Sequence, residues 1–167
     1  SNILLLWEDL GYRGISFISS GSVNILDNNS IISAEKIVYD DMSEIMTLVD
    51  SATMQTENRK IMGDSMRVEY DDSLLSKIMV RENAQSFNEI KAKVDKNRGY
   101  KDFVNIMESK NMDALFNQGE LSELYLYGMA STLFHAVDDT LLMGTNDVSG
   151  DSVILVFHDS ELSNISS

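Results

Sequence analysis

The chain has 167 residues, of which 43% are hydrophobic and 24% are charged, a balance typical of one globular domain. Its longest apolar runs, Ile3–Trp7 and Val153–Phe157, are five residues each, far short of the roughly 20 that a membrane-spanning helix requires. The chain contains no cysteine, which excludes disulfides, thiolate metal sites and a cysteine nucleophile. We therefore expect a single soluble domain over residues 1–167, without a membrane partner.

The charge is strongly negative and unevenly distributed. The net charge is −14, so the phosphate backbone of a nucleic acid would repel the chain on average. Residues 1–58 carry nine acidic and two basic residues, and residues 111–167 carry nine acidic residues and no lysine or arginine. Residues 59–110, in contrast, carry nine acidic and eleven basic residues. The two ends of the sequence thus hold all of the excess negative charge, and the middle has a small excess of positive charge.

Residues 1–40 have the pattern of a β meander. Short segments rich in β-branched and aromatic residues alternate with turn signals at Ser20-Gly21 and at residues 27–29. The predicted strands are Ile3–Trp7, Gly14–Ser19, Ser22–Leu26, Ser30–Ser33 and Ile37–Tyr39.

Residues 41–138 are predicted to be mainly helical. Asp41 and Glu44 have the spacing of a capping box, and apolar residues then follow at helical spacing to about Met62. Gly63 is placed to end this helix. The helices after it carry apolar faces that include Leu74, Ile78, Phe87, Ile90, Phe103, Met107, Leu124 and Phe134.

Residues 139–160 are predicted to form a β-hairpin. Its strands are Thr140–Met143 and Ser152–His158, and its turn is the polar segment from Gly144 to Asp151. Residues 161–167 are predicted to be a polar tail. Strands at both ends with helices between them indicate an α+β fold, in which an antiparallel sheet from both ends is covered by the helical middle.

Two histidines are candidates for chemistry. His135 precedes Asp138 and Asp139, and His158 precedes Asp159. If the two clusters converged, they could bind a divalent metal and activate water, as in a small metal-dependent hydrolase. Their spacing matches no defined metal motif, so this is the alternative interpretation, and we expect neither a metal nor another cofactor.

The main functional prediction follows from the charge. An acidic surface on the sheet favours a non-catalytic interaction protein that binds a basic protein partner. Inhibitors, immunity proteins, phosphate mimics and subunits of larger, possibly viral, assemblies or homo-oligomers belong to this class, and we expect a cytoplasmic or otherwise intracellular location. The predicted binding surface comprises Glu8, Asp9, Asp27, Tyr127, Asp147, Asp151, Asp159 and Glu161.

Overall fold

The structure is a computed structural model that describes residues 4–6, 17–27, 30–158 and 161–167. These residues form ten strands in one sheet, and the strands lie side by side in the order in which they occur in the sequence. All consecutive strands pair antiparallel except the first two, which pair parallel. The strands are β1 (Leu4–Leu6), β2 (Phe17–Asp27), β3 (Ser30–Asp40), β4 (Ile45–Gln55), β5 (Arg59–Asp71), β6 (Leu74–Lys93), β7 (Tyr100–Asn117), β8 (Glu120–Asp138), β9 (Leu141–His158) and β10 (Glu161–Ser166).

The prediction of an α+β fold is wrong. The described residues contain no helix, and the segment predicted to be helical, residues 41–138, forms the long strands β4 to β8. The predicted C-terminal hairpin is also wrong, because Gly144–Asp151 is not a turn: it lies inside β9 and pairs with β8. No helix in the described part of the chain is long and apolar enough to cross a membrane.

A line of β-bulges crosses the sheet and divides it into two halves. The register shifts at Ser33/Lys36, Val49/Ala52, Met62/Ser65, Arg81/Ala84, Glu108/Asn111 and Tyr127/Ala130, and each shift lies beside that of the next strand. Left-handed backbone at Asp50, Asn83 and Gly128 accompanies these shifts. A bulge bends its strand and increases the local twist, so bulges in line fold the whole sheet over.

The folded sheet buries its inner faces against each other. We call residues 37–49, 65–81, 111–127 and 152–158 the apolar half, because their buried side chains are all hydrophobic. Residues 30–34, 52–62, 84–109 and 130–150 form the mixed half, which contains all the buried polar side chains of the described residues, namely Ser86, Asn105, Ser109 and Thr132. The side of the core that the apolar half contributes is therefore entirely hydrophobic, whereas the side that the mixed half contributes is partly polar.

Tight turns join the long strands. Asp72 and Ser73 connect β5 to β6, and Gln118 and Gly119 connect β7 to β8, all with positive φ. Two left-handed central residues are the geometry of a type I′ turn, whose twist matches that of the flanking strands. Both turns lie within residues 41–138, the segment predicted to be mainly helical, so these turn signals were assigned to the wrong element.

The sheet splits between β7 and β8 at one end of the mixed half. Backbone pairing of these strands stops at Ile106 and Leu133, after which β7 stays with β6 and β8 stays with β9. The Asn105 side chain spans the start of the split, because its Oδ1 accepts a hydrogen bond of 2.8 Å from the backbone N–H of His135. Beyond it, the backbone N–H of Lys93 donates to the carbonyl oxygen of Thr140 at 2.8 Å.

Candidate functional site

A cleft of about 1000 Å³ lies between the two halves of the sheet. Both ends of β8 contribute to it, Leu121 near the start of the strand and Phe134 near its end, because the strand bends at Gly128. This volume is at the upper end of the range of about 300–1,000 Å³ that small-molecule sites occupy. The cleft is therefore large enough to hold a sizeable ligand.

One wall of the cleft is hydrophobic. It consists of Phe116, Leu121, Phe157, Leu162 and Ile165, which are partly buried and pack against the hydrophobic core. A smaller cavity of about 40 Å³ extends the cleft inward to Met107, Met112 and Leu124. The cleft is thus continuous with the core, and a ligand in it would meet apolar surface.

The opposite wall carries a row of polar residues. Arg59 pairs with Asn88 across β5 and β6, and Asn88 pairs with Asn105 across β6 and β7. On the other side of the split, Phe134 pairs with Asn146 across β8 and β9. We call Arg59, Asn88, Asn105 and Asn146 the polar row, and all four line the cleft.

Arg59 is the charged member of the polar row. Desolvation lowers the pKa of its guanidinium from the ordinary value, although the residue as a whole is exposed. These two facts agree if the guanidinium lies in a concave wall, where water reaches it from one side only. Among the described residues the Arg59 side chain has no ion pair, whereas Arg67, Arg81 and Arg98 each pair with a carboxylate.

The two histidines proposed for a metal site form no metal-binding cluster with the described residues around them. His135 of β8 lies opposite Thr145 of β9, whereas His158 is the last residue of β9. His135 instead contacts Phe103 and Asn105, and Asp138 and Asp139 are exposed. Within the described residues no cluster of three or more His, Asp or Glu side chains could hold a metal ion.

The predicted binding residues that the structure describes lie on β2, β8, β9 and β10. Glu8, Asp9 and Asp159 lie outside the described residues, and only the backbone is described for Asp27, opposite Ser30, and Glu161, opposite His158. The side chains of Asp147 and Asp151 are exposed on β9. Tyr127 is 38% exposed on β8, where its ring stacks on that of Tyr125 at 6.3 Å between centroids. A binding role for these residues stays a prediction.

Sequence reasoning missed the residues of the cleft. Phe116, Leu121 and Phe134 were assigned to helix faces or left out, and Arg59 and the three asparagines of the polar row were not singled out. A signal was present in the spacing of the asparagines, because Asn88 and Asn105 occupy alternating positions among apolar residues in two successive strands. Without the strand register, nothing placed them side by side.

Comparison with known proteins identifies the fold. No family model and no curated protein matches the sequence. Among solved structures, the chain is similar to LptH from Pseudomonas aeruginosa, described as the LptA-homologous periplasmic component of the conserved lipopolysaccharide transport device. The TM-score is 0.56 and the sequences are 12% identical, over 83% of this chain and 80% of the LptH chain. The chain therefore has the folded antiparallel sheet of an LptA-type β-jellyroll.

This comparison corrects three expectations. The predictions of an acidic inhibitor, immunity or viral protein and of a metal-dependent hydrolase are wrong, since the similar structure belongs to a lipopolysaccharide transport component. The expected cytoplasmic or intracellular location is likewise contradicted, because LptH is periplasmic. The coarser expectation of a larger assembly agrees with LptH being one component of a device, whereas a basic protein partner is not shown.

Proposed function

We propose that this chain binds the acyl chains of an amphipathic lipid in the cleft between the two halves of its sheet. The cleft of about 1000 Å³ carries this proposal, because aromatic and aliphatic side chains of its lining pack against the hydrophobic core. Burying apolar surface contributes about 0.8 kcal/mol for each methylene group, so an alkyl chain is a ligand that such a wall favours.

The likeness to LptH supports a role in lipid transport. LptH is a component of a lipopolysaccharide transport device, and this chain shares its fold over most of the length of both chains. By this analogy the ligand is lipopolysaccharide or a related amphiphile, and the chain functions in the periplasm as part of a larger assembly. The charge of −14 favours a basic surface on its partner within that assembly.

Binding of a neutral hydrophobic fluorophore tests the proposal. N-phenyl-1-naphthylamine fluoresces strongly in apolar surroundings, so titration with the folded protein is expected to give saturable enhancement, and dodecanol is expected to displace the probe. In an alcohol series from decanol to tetradecanol, each added methylene should strengthen binding by up to about fourfold until the cleft is filled.

A pair of substitutions locates the binding. Ala136 lines the cleft, so Ala136→Trp should fill part of it and weaken probe binding roughly tenfold or more. Ser149 is exposed on β9, so Ser149→Trp provides a control with the same added ring and should bind the probe like the wild type. Absence of saturable binding to the wild type, or equal weakening by the two substitutions, would contradict an acyl site in the cleft.

A further inference from the structure

The lining of the cleft becomes more polar toward the polar row. Arg59, Asn88 and Asn105 each have a next residue on the same face of the strand, two positions closer to the bulge line. These residues are Ile61 on β5, Ser86 on β6 and Met107 on β7. Beyond the bulges, the apolar half contributes only hydrophobic buried side chains. Polarity therefore rises from the interior of the folded sheet toward the polar row. An amphiphile matches this gradient when its tail lies on the apolar wall and its head lies at the polar row.

Arg59 adds a charge to this end of the cleft. In a chain with 27 acidic and 13 basic residues, carboxylates are abundant, yet none forms an ion pair with Arg59 among the described residues. A partly desolvated guanidinium without a counter-charge is costly, and a ligand oxyanion would offset that cost through paired hydrogen bonds. The planar guanidinium fits two oxygens of a phosphate or a carboxylate.

The other charged residues of the cleft do not cancel the attraction of Arg59 for a ligand oxyanion. Lys91, Glu120 and Asp139 also line it, and all three are exposed. Glu120 is the first residue of β8 and Asp139 lies in the β8–β9 turn, whereas Arg59, which is likewise the first residue of its strand, pairs with Asn88 of the polar row. Water and salt screen these three exposed charges, whereas desolvation of the Arg59 guanidinium reduces that screening, although Arg59 as a whole residue is also exposed.

We infer that the cleft selects anionic amphiphiles, and that Arg59 binds their oxyanion headgroup while Asn88, Asn105 and Asn146 surround it. This inference rests on the proposed function, because it assumes that an alkyl chain occupies the apolar wall. It assigns a chemical class, phosphate or carboxylate on an alkyl chain, and a residue that selects it.

Matched ligands test the inference. Dodecyl phosphate, laurate and dodecanol share a twelve-carbon chain and differ in the headgroup, and each is to be titrated below its micelle concentration against the bound fluorophore. We expect the two anions to bind the wild type roughly tenfold or more tightly than dodecanol, as charge-assisted hydrogen bonds imply. Inorganic phosphate alone should displace no fluorophore, which distinguishes an amphiphile site from a free-phosphate site.

Matched variants separate the two proposals. Arg59→Gln should abolish the preference for the anions, so that dodecyl phosphate, laurate and dodecanol bind this variant with similar affinity. Arg67→Gln is the control, since Arg67 lies on the same strand but pairs with Glu69 at 2.7 Å, and it should keep the preference. If dodecanol and the anions bind equally to the wild type, or if Arg59→Gln keeps the preference, the headgroup inference is overturned while the acyl site stands. If none of the three ligands binds, the acyl site itself is refuted.

Discussion

At the scale of single residues, Asn105 both connects the split strands β7 and β8 and lines the cleft. It is 2% exposed, and its side chain replaces the backbone pairing that β7 and β8 lose at the split. It also stands in the wall of the cleft. A residue that holds the split strands together thereby fixes the shape of the site.

Substitution of Asn105 tests its structural role. Asn105→Leu removes the acceptor for the His135 N–H, and we expect it to lower the free energy of unfolding by about 1–3 kcal/mol, because a buried donor loses its partner. Asn111→Leu is the control on the same strand: its Oδ1 accepts the Glu82 N–H at an exposed position, where water can replace it, so the loss should be smaller. Urea denaturation measures both, and equal losses would argue against a special role for Asn105.

Gly63 is required by close packing at the bulge line. A Cβ atom there would collide with the side chain of Val80 and lie 3.1 Å from the carbonyl oxygen of Glu82. We expect Gly63→Ala to destabilise the fold by about 1–3 kcal/mol, as overpacking does. A second substitution, Val80→Ala, should recover part of the loss in a double-mutant cycle followed by thermal denaturation.

The control for Gly63 is Gly144→Ala, since nothing lies within 4 Å of a Cβ at Gly144. Its expected change in the free energy of unfolding is below about 0.5 kcal/mol. If Gly63→Ala is as mild as this control, close packing at the bulge line is not what requires glycine.

At the scale of elements, the bulges explain why the middle of the sequence was predicted to be helical. A regular strand places inward residues two apart, but the strands here continue inward from Leu48 to Ala52, from Val80 to Ala84 and from Leu126 to Ala130. Each of these steps is four residues, which is also the spacing of one helix face. An alternating pattern with a four-residue step at its centre therefore resembles an amphipathic helix.

The sequence did allow part of the fold to be predicted. The turn at residues 27–29 was expected, and β2 and β3 do pair antiparallel on either side of it. The strand character of Ser152–His158 was also expected and lies within β9. These segments show alternation without an interrupting bulge or lie beside a clear turn signal. The cleft could not be predicted, because it exists only once the sheet is folded along the bulge line.

The β5–β6 turn gives a prediction at this scale. Asp72 and Ser73 both have positive φ, a conformation that costs a residue with a Cβ roughly 1 kcal/mol. We expect Ser73→Gly to stabilise the protein by up to about 1 kcal/mol, visible as a higher midpoint of thermal unfolding. The same change at Ser76, inside β6, should instead destabilise it, because glycine weakens a strand and the hydrogen bond from Ser76 Oγ to the Glu69 carbonyl is lost.

At the scale of the whole molecule, the fold separates the charges between the middle and the edges of the sheet. The basic residues of positions 59–110 lie on β5, β6, the β6–β7 connection and β7, in the interior of the strand order, whereas the acidic ends of the sequence supply the strands toward the two edges. The sheet is thus nearly neutral along its middle strands and acidic toward its margins. Arg59, Asn88 and Asn105 belong to the middle strands, so an anion at this part of the polar row meets the least negative strands of the sheet, whereas Asn146 lies on the acidic strand β9.

Salt dependence provides a prediction for the molecule as a whole. Raising the ionic strength from about 0.1 M to about 1 M shortens the Debye length from about 10 Å to about 3 Å. Dodecanol binding is expected to stay constant or strengthen slightly, because it depends on apolar burial. Dodecyl phosphate should lose part of its advantage, which titration at the two ionic strengths measures. A loss of dodecanol binding at high salt would place that ligand on a charged surface instead of in the cleft.

The bulge line also determines how the cleft can change its width. The hydrogen bonds between neighbouring strands run across the sheet, parallel to this line, and the ladder is already interrupted where the line crosses each strand. Opening the two halves therefore rotates the backbone at the bulges and leaves the remaining ladders of both halves intact. Any widening of the cleft at the bulge line would therefore cost apolar contacts between the two halves, which share one hydrophobic core, and few backbone hydrogen bonds.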